Sequence, residues 1–185
     1  MKKSTIIVIL IFVFAIVVAF KTNQSYALTD DSDKKMNVYL SNIKISQMQG
    51  NVYVPESPEV SDSSVKAFDV IIGSPNDYVT FTFDIVNNGD IGIEIDSVVK
   101  EMPKCFSIEY PEIVNDATLV CNNLDYSYFY TSSNDELSKN DVIEPHTKEN
   151  ITIKIGMKKE SNIELNGEVQ VVLYDTEFVF RKEQS

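Results

Sequence analysis

Tryptophan is absent from the 185 residues, histidine occurs once, cysteine twice, and glycine and proline six times each. The single histidine, His146, falls short of the two imidazoles of an H-E-x-x-H zinc site. Its place in the proline turn of "IEPHTKENITIKI" predicts an exposed turn residue and not the base of a cysteine or serine nucleophile. No G-x-S-x-G, Walker or G-x-G-x-x-G stretch occurs. Carboxylates are plentiful, but no two are singled out as an acid–base pair, so the expected protein is not an enzyme. Basic side chains are also scarce: 16 Lys and Arg stand against 28 Asp and Glu, a formal charge of −12. Nucleic acid is excluded as a natural partner, because its binding rests on cations that neutralise phosphates.

Long apolar runs are missing too, with one exception at the start. After Met-Lys-Lys the chain carries no charge from Ser4 until Lys21, and small residues come next at Ser25-Tyr26-Ala27. A basic head, an apolar middle of about 15 residues and a small-residue site predict a secretory signal peptide over residues 1–27, cleaved after Ala27. The alternative is an uncleaved signal anchor, the one route by which this chain would touch a membrane. Either way the remainder is expected outside the cytoplasm, extracellular or at the cell surface. The leader takes three lysines and no acid with it, leaving 13 basic against 28 acidic side chains on the remaining 158 residues. That length is one domain's worth, expected over residues 37–182 behind a flexible acidic lead at 28–36.

In an oxidising compartment Cys105 and Cys121 are expected to form a disulfide. Two other groups invite a chemical reading. Asp30-Asp31-Ser32-Asp33 and the loop Asn134-Asp135-Glu136 with Asn140-Asp141 concentrate oxygen ligands, a weak case for calcium, since neither has EF-hand spacing. No other cofactor is indicated. Tyr126, Tyr128 and Tyr130 alternate along one strand. Exposed, they would offer a surface for stacking sugars or for protein contact; otherwise that face packs on the core.

The rest of the pattern is period two. "VTFTFDIVNNGDIGIEI" places Val79, Phe81, Phe83 and Ile85 on one face and resumes with Ile91, Ile93 and Ile95, which reads as an antiparallel hairpin. Ile151, Ile153, Ile155 and Met157 keep step in "NITIKIGM". "EVQVVLYDTEFVF" reads as a closing strand, and on a sheet edge it would pair with a neighbouring subunit. In "NVYLSNIKIS" the parity changes between Leu40 and Ile43, so a bulge near Ser41-Asn42 is expected. No segment keeps a helical period beyond a short turn near "SNDELSK". About nine short strands without intervening helices predict an all-β, antiparallel β-sandwich of immunoglobulin-like type.

Three stretches, "NVYLSNIKISQMQGNV", "YVTFTFDIVNNGDIGIEIDSV" and "LVCNNLDYSYFYTSSNDELSKNDVIEPHTKENITIKI", together resemble uncharacterised secreted immunoglobulin-like proteins of Gram-positive bacteria. More remotely, the F-x-[VI]-x-N-x-G turn is similar to that of camelysin and TasA-type fibre subunits and of CARDB-like adhesion modules. The resemblance implies a sandwich that works by contact with other surface or matrix proteins, or with itself, as an adhesion, matrix or fibre module. Two departures stand out: Tyr39 occupies the place of an expected tryptophan, and the proteolysis ascribed to camelysins finds no metal-ligating cluster. A small-ligand or carbohydrate-binding module is the alternative.

Overall fold

The computed structural model describes residues 35–109, 114–158 and 164–184. The leader, the cleavage point after Ala27 and the acidic group at 30–33 lie outside the described residues. From Lys35 onward the chain folds as the expected all-β sandwich, with strands in three antiparallel sheets packed around one apolar core.

Alternation creates the first sheet. In β4 (Tyr78–Asn87) Val79, Phe81, Phe83 and Ile85 are fully buried, while Thr80, Thr82 and Asp84 point to the other face. β9 (Thr147–Met157) answers with Ile151, Ile153 and Ile155, in register as Phe83↔Ile151, Phe81↔Ile153 and Val79↔Ile155. β1 (Val38–Gln49) pairs with β4 and β7 (Leu124–Tyr130) with β9, giving the order β1-β4-β9-β7. The expected bulge in β1 is present, with the register slipping between Ser41 and Lys44 around Asn42 at φ 59°.

The other two sheets are halves of one layer. The three-stranded sheet is β3 (Phe68–Ile72), β10 (Val169–Leu173) and β6 (Lys104–Ser107); the four-stranded sheet is β2 (Ser64–Val65), β11 (Thr176–Lys182), β5 (Ile93–Lys100) and β8 (Val142–Ile143). Register is kept across the gap: Leu173 faces Phe68 and, three residues on, Thr176 faces Val65; Val172 faces Lys104, and Thr176 faces Lys100. Three long strands are thus each interrupted at one waist, where Asp175 accepts the Ala67 amide at 2.8 Å and the Lys66 ammonium at 3.0 Å. The layer closes on the first sheet through edge-to-face pairs, Phe68 on Phe81 at 5.1 Å and Phe83 on Phe178 at 5.5 Å. Burying each such ring stabilises the fold by about 1.5–3 kcal/mol.

Four sequence expectations are corrected. β4 and β5 do not form a hairpin; the chain crosses from one layer to the other between them. Both strands need their apolar face on the same core, and an arch supplies this. Asn87, fully buried, pins the arch by donating to the Ile91 and Ile143 carbonyls at 2.8 and 3.0 Å and accepting from the Gly89 amide. The closing segment is not an edge strand, for β10 and β11 are both flanked on two sides. Finally, "LVC" is helical, within α1 (Val114–Asn122). Ala117 and Val120, three residues apart, turn one face inward, and Asp116 in the first turn accepts the Asn166 and Gly167 amides. The helix is stitched to β6 by the Cys105–Cys121 disulfide, with Cα atoms 5.9 Å apart. The segment expected to hold a helical turn, near "SNDELSK", instead returns alongside β7.

Candidate functional site

The tyrosine row belongs to the inside of the molecule. Tyr128 is 5% exposed and Tyr126 and Tyr130 are half-buried. The Tyr126 and Tyr128 hydroxyls meet each other and the Thr176 hydroxyl of the opposite layer. Tyr130 donates to Asp141 at 3.1 Å. Burial raises all three phenol pKa values, and the Asp141 carboxylate pushes Tyr130 further up. These hydroxyls are neutral donors that join two layers, and the rings are core.

The margins of the sheets carry the more informative geometry. β7 is finished along its outer side: the Tyr130 amide donates to Asp135, the Tyr128 carbonyl accepts from Leu137, and the Tyr126 carbonyl accepts from the Lys100 ammonium at 3.0 Å. That ammonium lies 4.7 Å from the Tyr126 ring centre, and its loss of water lowers its pKa. In the second layer, Tyr53 exchanges backbone bonds with Ile71 beside β3, and Lys66, next to β2, donates to Glu59. β8 and residues 140–141 cover the start of β5, and α1 lies against the four-residue β6.

β1 is finished differently. Its outer side makes one backbone bond, Leu40 N–H to Asp62, and from Ser41 to Gln49 no further backbone partner occurs among the described residues. Ile45 and Met48 oppose the buried Phe81 and Val79, so they lie on the core side of the sheet, yet they are 39% and 45% exposed. They form an uncovered apolar rim at the mouth of the sandwich. The strip is also unlike the rest of the chain in charge: residues 35–55 hold Lys35 and Lys44 and no acid. In the sequence β1 does not stand out as a contact strand, because its outward side mixes Tyr39, Ser41, Lys44 and Gln47. The signal that marks it is the missing acid in so acidic a chain.

The outer face of the first sheet is polar and internally satisfied. Asp84 accepts from Asn42 at 2.9 Å, Asn150 at 2.8 Å and Lys148 at 3.1 Å. Burial alone would raise the Asp84 carboxyl, and these three donors outweigh it, holding the pKa below its usual value. Ser46 meets Thr80, and Thr131 meets Thr152. The outer face of the three-stranded sheet is less polar. One register row runs Tyr53, Ile71, Gln170, Phe106, with Tyr53 and Phe106 56% and 51% exposed at its ends.

The other candidates lie at turns and loops. His146 is an exposed turn residue at φ 57°, with its imidazole 3.5 Å from Asp90. The loop considered for calcium is tied into the fold: Asp141 accepts from Tyr130 and the Ser138 amide, and Asn140 accepts from Arg181 at 2.7 Å. Among the described residues no three His, Cys, Asp or Glu side chains are grouped as a metal site. Comparison with known protein families, with curated proteins and with solved structures finds no match to the chain.

Proposed function

We propose that this chain is a non-enzymatic, secreted or cell-surface β-sandwich that acts by protein contact, and that β1 is its contact edge. One observation carries the reading. Among the described residues an edge of nine residues, Ser41 to Gln49, keeps its outer backbone groups open beside an uncovered apolar rim and an acid-free strip. Unpaired strand edges are templates for another strand, and most proteins blunt them with charge or cover. Here the opposite margin of the same sheet is covered. Export is supported by the leader pattern and by the Cys105–Cys121 bridge, which suits an oxidising compartment. The position of the edge suits a protein held by its N-terminus. Residues 35–37 lie against the arch at residues 88–90, and Met48 is roughly 40 Å further along at about 3.3 Å per residue. The exposed rim therefore lies at the far end of β1 from residues 35–37.

Fractionation of the producing cells tests the location: the chain is expected in the medium or on the outer surface, and a cytoplasmic product contradicts the reading. Binding of the labelled chain to intact cells tests the edge. Ile45→Lys is expected to abolish that binding, and full binding by the variant contradicts the assignment of β1.

A second reading, neutral carbohydrate, rests on the Tyr53–Phe106 row, whose exposed rings lie three strand spacings apart, about 14 Å, with the Gln170 amide between them. Retention on insoluble polysaccharide that Phe106→Ala removes would favour it; no retention would count against it.

A further inference from the structure

Resting on the reading of β1 as a contact edge, we infer that its occupant is β1 of a second copy, in a two-fold pair that closes at two chains. Edge pairing needs an open edge on each partner. Among the described residues the other margins are covered or short: β7 by residues 135–137 and Lys100, β3 and β2 by residues 53 and 59, β5 by β8, and the four-residue β6 by α1. The open stretch that a second copy offers is therefore the same one. Like meeting like is an isologous contact, which a two-fold axis satisfies in one step. A fibre would require a second, different surface that receives β1, and the sheet margins do not provide one. The pair would join two four-stranded sheets into one of eight strands, ordered β7-β9-β4-β1 and onward through the partner.

Charge and burial both favour a second copy. Chains with a net charge of −12 repel one another, and repulsion is least where acids are absent. Residues 35–55 are that place: no carboxylate is brought against a carboxylate by the strand itself, and β1 carries one cation, Lys44. Antiparallel pairing would also bring each copy's Ile45 and Met48 beside the partner's rim. This extends the apolar core across the axis, in place of leaving four large side chains in water.

The test is sedimentation or light scattering of the exported chain over a thousandfold range of concentration, with three single variants. Wild type is expected to pass from one mass to twice that mass and to stop there. Ile45→Lys and Met48→Lys are expected to weaken the pair at least tenfold, with each melting curve checked for an intact fold. Lys44→Glu alters only an exposed side chain, makes each already acidic chain two units more negative and is expected to weaken it too. A strict monomer, growth beyond two chains, or unchanged pairing in folded Lys44→Glu and Ile45→Lys would each overturn the inference. Cell binding keeps the two readings apart. A monomer whose cell binding still depends on Ile45 sinks the pair and leaves the contact edge; a pair formed by a chain found only in the cytoplasm sinks the surface reading and leaves the pair.

Discussion

β7 and β1 are the two margins of one sheet, and they are finished in opposite ways. β7 has three aromatic rings turned into the core, and on its outer side the Tyr130 amide and the Tyr126 and Tyr128 carbonyls are answered by neighbours. β1 has its polar side chains outside, two apolar side chains at an open rim, and one backbone bond on its outer side. The strand that looks like a binding surface in the sequence is structural, and the plain one is open. Aromatic content marks a surface only when the rings are outside, and alternation by itself does not say which side of a strand is outside.

The largest effect that separates the margins is on stability. Tyr128→Ala removes a buried ring that contacts Phe178 at 5.6 Å together with its link to Thr176, and is expected to cost about 3–5 kcal/mol in a denaturant titration. A loss below about 1 kcal/mol would mean that β7 is not the packed margin described. Next is the clasp at the other layer. Replacing Cys105 and Cys121 together by serine opens a loop with a sequence separation of 16 and is expected to cost about 3 kcal/mol. Non-reducing mass analysis showing two free thiols would contradict the bridge itself.

A smaller effect belongs to the face that β1 shares with β4 and β9. Asp84→Asn leaves Lys148 without its carboxylate and is expected to cost about 1.5–3 kcal/mol at neutral pH. The sign with pH is set by the depressed pKa. A carboxyl whose folded value lies below its unfolded value contributes fully above the unfolded pKa, and the contribution is lost as pH falls through the folded one. The wild-type stability should therefore decline on the acid side more steeply than that of Asp84→Asn, and parallel acid limbs would contradict the network. Smallest of all, Met48→Lys is expected to change the stability of the single chain by no more than about 0.5 kcal/mol, as for other exposed sites. A large loss would mean that the rim is already covered.

The strands with a buried face were readable because their period is strict: Val79 to Ile85 and Ile151 to Met157 stand where alternation put them. The bulge in β1 was readable because a parity change between Leu40 and Ile43 has few other causes. Topology was less so. The arch between β4 and β5 carries the same Asn-Asn-Gly-Asp turn residues as a hairpin, and what distinguishes them is the set of distant carbonyls, of Ile143 and Glu144, that Asn87 reaches. Helix α1 was hidden by its brevity, since its nine residues make about two and a half turns. The interruption of β10 and β11 at Tyr174 and Asp175 depends on Asp175 meeting Lys66, a contact 109 residues apart in the chain. The open margin, finally, is a property of what is absent beside β1, which periodicity does not report.

The most direct test of β1 as the working edge is hydrogen exchange of its amides, read against those of β7 at low and high protein concentration. Protection between Ser41 and Gln49 is expected to rise with concentration while β7 stays unchanged. Equal protection of β1 at both concentrations, or a rise spread over both margins, would contradict the pairing of β1 with a second copy.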